Sequence, residues 1–195
     1  MTALAAVSIG VLSLWSIPDW ARACDLVHES ALEDRLASRP PSLPAAAAAD
    51  SAGDLGGMVE RLSAWVAEQV AYPAPPPPEL RLEGEVALKS RCFPAFPLHL
   101  APRVLGAYDA EDGVIYLNQR LDLTRRVDRS YLLHELVHHF QLHQRPANDD
   151  RCKGRLEGEA LRLQLRWLEE RGMGDPLGAL GIDERTLRIL ESCSR

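Results

Sequence analysis

The stretch Tyr131-Leu132-Leu133-His134-Glu135-Leu136-Val137-His138-His139-Phe140-Gln141 decides how the rest of the chain is read. It is bounded by Asp128, a residue type that caps helix N-termini, and by Pro146, which a helix interior does not accept. The pattern predicts a helix from about Asp128 to Gln144. At about 100° per residue His134 and His138 share one face, so two imidazoles can point at one tetrahedral zinc ion. Glu135 stands one residue round, where a carboxylate suits the role of general base toward a zinc-bound water. Leu132, Leu133, Leu136, Val137 and Phe140 cover the other sides, which places both histidines on a largely buried helix.

Downstream, Gln144 to Asp150 reads as a polar loop, and Lys153-Gly154-Arg155 leads into a helix running to about Arg171. Arg155, Glu159, Arg162, Arg166, Glu169 and Glu170 gather on one side of it, and Leu156, Ala160, Leu161, Leu163, Trp167 and Leu168 on the other. Glu157 and Gln164 fall in the middle of the apolar side. A lone buried carboxylate is costly unless a cation compensates it, so Glu157 is expected as the third metal ligand. Glu159, turned about 200° from it, is expected to be a solvated partner of Arg155, Arg162 and Arg166. Tyr131 and Gln141, beside the metal face, and Gln164, on the face of Glu157, are expected to orient ligands or touch substrate. His139 and His143 should point elsewhere, and His99 should lie at the surface.

The two motifs, His134-Glu135-x-x-His138 and Glu157-x-x-Ala160 beginning 19 residues after His138, resemble those of the zincin metallopeptidases of the gluzincin type, particularly small single-domain forms. The resemblance covers about 40 residues. It implies one zinc ion held by His134, His138 and Glu157, with Glu135 as the base. The metzincin pattern does not fit, since Gln141 stands where that group has glycine and Gln144 where it has its third histidine.

Upstream, Arg103–Tyr108 and Val114–Leu117 read as strands joined by a hairpin at Asp112-Gly113. If the second is an edge strand beside the cleft, an extended peptide can add to it and lie over the metal. Leu80–Leu82 and Val86–Leu88 alternate like strands. Asp54 to about Tyr72 reads as a helix with an apolar stripe of Leu55, Met58, Val59, Leu62, Trp65, Val66 and Val70, ended by the proline run 73–78. Asp25 to about Arg39 has helical spacing, and Pro40 to Gly53 reads as a proline- and alanine-rich linker.

The first 23 residues have the form of an export signal, with an apolar run from Ala3 to Ile17 and the small-x-small site Ala21-Arg22-Ala23. An uncleaved anchor, or lipidation at Cys24, is the alternative. The units are then 1–23 signal, 24–53 helix and linker, and 54–195 catalytic domain. In an exported chain Cys24, Cys92, Cys152 and Cys193 make two disulfides with three possible connectivities, of which Cys92 with Cys152 and Cys24 with Cys193 is the expected one. A net charge of −6 and a pI near 5.5 argue against a nucleic-acid partner, and no basic block suggests an anionic membrane.

The sequence therefore predicts an α+β domain in which a small antiparallel sheet or hairpin packs on a metal-binding helix followed by a glutamate-bearing one. The expected protein is a zinc metallopeptidase, periplasmic or extracellular, acting on a peptide or protein substrate through a zinc-bound water activated by Glu135. The alternatives are a zinc-stabilised binding or envelope protein that keeps the scaffold without turnover, and a disulfide-stapled envelope protein in which the histidine pair carries no metal.

Overall fold

The computed structural model describes the backbone of residues 22–26, 45–143 and 152–192, and the side chains from residue 55 onward within those ranges, Leu190 excepted. In chain order the elements are β1 (Arg22–Leu26), α1 (Ala45–Gln69), β2 (Glu79–Glu83), α2 (Glu85–Cys92), β3 (Val104–Asp109), β4 (Val114–Asn118), α3 (Arg126–Leu142), α4 (Lys153–Glu170), α5 (Pro176–Leu180) and α6 (Glu184–Glu191). The architecture is α+β. One four-stranded sheet runs in the order β1-β3-β4-β2.

The β3–β4 hairpin follows from its turn: Gly113 has φ 68°, a left-handed conformation that an L side chain resists, and its N–H bonds the Asp109 carbonyl at 2.9 Å. Both strands are buried along their whole length because the sheet is covered on both faces. Ile115 and Leu117 join the main core with Leu132, Leu133 and Leu136 of α3, Trp167 and Leu168 of α4, and Met58, Val59, Leu62 and Val66 of α1. Val114 and Tyr116 face the other way, onto Leu88 of α2. The stripe expected on α1 is this core contact.

Two close approaches shape the packing. The β1–β3 register jumps so that Asp25 pairs with Gly106 and Leu26 with Val104, which leaves Leu105 as an extra residue on β3. Leu105 therefore packs in the main core although its neighbour Gly106 also faces α3. On α4, the buried Gly158 lies so close to Glu191 of α6 that a Cβ would collide with its side chain and backbone. This explains the glycine between Glu157 and Glu159.

Several expectations are corrected. The sheet is mixed, since β2 runs parallel to β4, so it is not the antiparallel hairpin alone. Val114–Asn118 is an interior strand between β3 and β2 and offers no edge to a peptide. Val86–Leu88 belongs to α2: Glu85 in its first turn and Lys89 and Arg91 in its last suit the helix dipole, and Lys89 reaches Glu85 at 3.2 Å. The alanines of the supposed linker form the first turns of α1, as alanine's helix propensity favours. Asp25 and Leu26 are in a strand, and the remainder of the helix expected to Arg39 lies outside the described residues. Asp128 does not cap α3, which begins at Arg126; its carboxylate instead accepts the backbone N–H of Asp122 at 2.8 Å.

Cys92 and Cys152 are each disulfide-bonded, and no described cysteine is free. Cys193, and the side chain of Cys24, lie outside the described residues, as do residues 1–21 of the segment expected to be an export signal. Among the described residues no helix is long and apolar enough to cross a membrane.

Gly158→Val should destabilise the fold by roughly 1–3 kcal/mol through overpacking of α4 against α6. Urea unfolding of the two proteins checks this; equal midpoints would mean that α6 does not seat on Gly158.

Candidate metal centre

The site is built by α3 and α4, which pack against each other and carry all three converging groups. His134 Nε2 and His138 Nε2 stand 3.0 Å apart, and Glu157 Oε2 lies 3.4 Å from each. The helical spacing of four brings the imidazoles edge to face, with ring centroids 4.7 Å apart. Both histidines are 1% exposed, and the Glu157 side chain is 17% exposed.

Hydrogen bonding fixes which ring nitrogen carries the proton. Ser130 Oγ donates to the Val127 carbonyl at 2.7 Å and accepts from Gln164 Nε2 at 2.9 Å, so Gln164 turns its Oε1 to His134 Nδ1, 3.1 Å away. Gln141 Nε2 donates to the Leu156 carbonyl at 3.0 Å and to Glu159 Oε2 at 2.9 Å, so its Oε1 faces His138 Nδ1 at 2.8 Å. An amide oxygen only accepts, hence both Nδ1 atoms are protonated and donate. In the neutral rings both Nε2 lone pairs then point at one another and at a carboxylate oxygen. Such a convergence is repulsive unless a cation sits in it.

The spacing suits a small metal ion. A point roughly 2.0–2.1 Å from all three atoms lies just off their plane, and ligands of a tetrahedral zinc stand about 3.3 Å apart. Burial alone would raise the Glu157 pKa, but while no ion is bound, positive charge on His138 and His134 outweighs it and holds the carboxyl well below the ordinary carboxylate range, so the group is relieved either by protons on the imidazoles or by a cation.

The base candidate is positioned by a missing side chain. Glu135 is fully buried, and a Cβ on Gly106 of β3 would come within 2.5 Å of its Oε1. Only glycine lets the strand pass this carboxylate.

Gln141 and Gln164 thus lie against the two imidazoles. Tyr131 is buried among the core residues of α3. Glu159 has partners beyond the arginines expected for it. It accepts from Tyr72 Oη at 2.7 Å as well as from Gln141, whereas Arg162 pairs with Glu191 and Arg166 with Glu170 at 3.0 Å. The arginines around it in sequence hid the role, because the partners that claim it come from α1's end and α3. Ser130 and Tyr72 were also missed; a serine four residues before His134, one turn away on the same helix face, was the available signal for the first.

His139 faces away from the metal group. Its Nε2–H donates to the Pro76 carbonyl at 2.7 Å and its Nδ1 accepts from Tyr108 Oη at 3.0 Å, which ties the proline segment to the hairpin. Burial holds this imidazole below its ordinary pKa, against the Pro76 bond and with help from His143, and burial pushes the Tyr108 phenol up to about 12. His143 and His99 are exposed.

A family described as a domain of unknown function (DUF6647) matches residues 51–180, and the chain belongs to it. That span contains all four residues His134, Glu135, His138 and Glu157. No curated protein and no solved structure matches the chain.

Glu159→Ala should free Gln141 to turn and weaken divalent-metal affinity roughly tenfold or more, without removing a ligand. Competition with a chromophoric chelator measures it, and unchanged affinity would return Glu159 to a surface role. A second outcome concerns pH. His139 has a folded pKa below its unfolded value of about 6.5, so its contribution to stability is complete above that pH and is lost as pH falls. In metal-free protein the stability advantage of the parent over His139→Gln should shrink from about pH 8 to about pH 5; a constant difference by urea unfolding would contradict the assignment.

Proposed function

We propose that this protein is a metallopeptidase of the zincin kind, with zinc bound by His134, His138 and Glu157. The observation that carries the reading is the pair of glutamines that commits both Nδ1 protons, leaving two Nε2 lone pairs and one carboxylate oxygen directed at a single point. Two imidazoles and one carboxylate form a donor set that zinc takes in catalytic sites while keeping a fourth position open. When bound, the ion supplies Lewis acidity toward water and a peptide carbonyl.

The chain's own residues supply the rest. Glu135, on the same helix as both histidines, takes a proton from the attacking water as its oxygen bonds the carbonyl carbon. The C–N bond then breaks, and Glu135 returns that proton to the leaving amine. Gly106 lets the Glu135 carboxylate lie against β3. Ser130–Gln164 and Tyr72–Glu159–Gln141 keep the two rings in the orientation that the ion requires.

The expected export and the disulfide-bonded state of Cys92 and Cys152 agree with an oxidising compartment, periplasmic or extracellular. In this reading Cys92 pairs with Cys152 and Cys24 with Cys193. The substrate class is polypeptide.

Glu135→Gln in the full chain should keep about one zinc per chain and lower cleavage of an unstructured protein by several orders of magnitude. Metal analysis and a chelator-controlled digest read both properties. Zinc bound with no chelator-sensitive cleavage by the parent would instead establish a metal-stabilised scaffold without turnover.

A further inference from the structure

The residues proposed to act on a substrate are closed to it. His134, Glu135 and His138 are each no more than 1% exposed. The strand beside them has no vacant edge: β3 pairs with β4 on one side and with β1 on the other. Because Gly106 touches the Glu135 carboxylate, the outer edge of β3 at Gly106 is where an extended backbone would pass the base. β1 passes there, antiparallel, with Asp25 paired to Gly106 and residues 22–26 running alongside Val104–Asp109. β1 also packs against α3, the helix that carries the histidines.

We propose that β1 is an autoinhibitory strand, occupying in cis the edge of β3 that an extended polypeptide substrate takes. The proposal rests on the metallopeptidase reading. Main-chain hydrogen bonds to a sheet edge do not depend on sequence, so any extended segment can replace β1 once it lets go. The pairing of this segment carries a register jump between Asp25 and Leu26, which weakens the ladder there. Its position in the chain adds a means of release. The site Ala21-Arg22-Ala23, read above as an export-processing site, overlaps β1, and cleavage after Ala23 removes Arg22 and Ala23 from the ladder.

The test uses the full chain carrying Glu135→Gln, which stops cleavage, with and without Asp25→Pro and Leu26→Pro together. Successive N–H groups along a strand point to opposite sides, so one of the two prolines removes a donor from the β1–β3 ladder. The probe is a fluorescent peptide of residues 20–28 with serine at position 24. Its affinity should rise at least tenfold in the double-proline chain, and equal or weaker binding by the folded variant would overturn the proposal. Should the prolines prevent folding, hydrogen exchange on the Glu135→Gln chain decides: saturating peptide should deprotect the amides of residues 22–26 and leave β3 protected, and unchanged β1 protection would overturn it. With Glu135 intact, the double-proline chain should digest an unstructured protein at least tenfold faster than the parent. Tighter peptide binding without any digestion would sink the peptidase reading and leave strand competition standing, whereas digestion by both chains at one rate would sink the autoinhibition alone.

Discussion

The arrangement depends on one electrostatic constraint, the placing of three acceptor atoms within 3.4 Å of one another in a region nearly closed to water. Two imidazole lone pairs and a carboxylate oxygen repel one another there, and their desolvation is uncompensated by solvent. The surrounding polar chains do not relieve this. By drawing the Nδ1 protons outward to Gln164 and Gln141 they keep the lone pairs facing inward. A cation would relieve this repulsion, and the fold is the means of holding α3 and α4 in register around the three atoms.

That register comes from apolar packing on every other side. Leu132, Leu133 and Leu136 of α3 meet Ile115 and Leu117 of the hairpin, and Trp167 and Leu168 of α4 close the opposite flank. Fully burying a large apolar side chain contributes about 1.5–3 kcal/mol, so a handful of these contacts outweighs the polar strain of the site. The glycines mark where packing and chemistry meet: Gly106 admits the Glu135 carboxylate beside β3, and Gly158 admits α6 behind Glu157.

The convergence of His134, His138 and Glu157 was legible in the sequence because helical geometry is local: a spacing of four fixes the two histidines, and the polarity of α4 chose Glu157 over Glu159 as the residue facing them. The hairpin was legible from Asp112-Gly113, and the stripe on α1 from its period. What was not legible depended on contacts distant in sequence. Glu159 sits among arginines along the helix, but Tyr72, 87 residues away, and Gln141 take it up in space. Strand β1 and the parallel pairing of β2 with β4 are non-local too, and the alternation of Val86 and Leu88 fits a short helix as well as a strand. Short segments carry too few periods to separate the two, and edge strands carry no pattern that names their neighbour.

The donor set at the centre is the central claim, and zinc K-edge X-ray absorption on protein purified without an affinity tag addresses it most directly. The account predicts about one zinc per chain, with two imidazoles resolved by their multiple-scattering pattern and the remaining ligands light oxygen atoms at about 2.0 Å. A shell of sulfur at about 2.3 Å, or protein that takes up no stoichiometric metal while His134, His138 and Glu157 are intact, would contradict it.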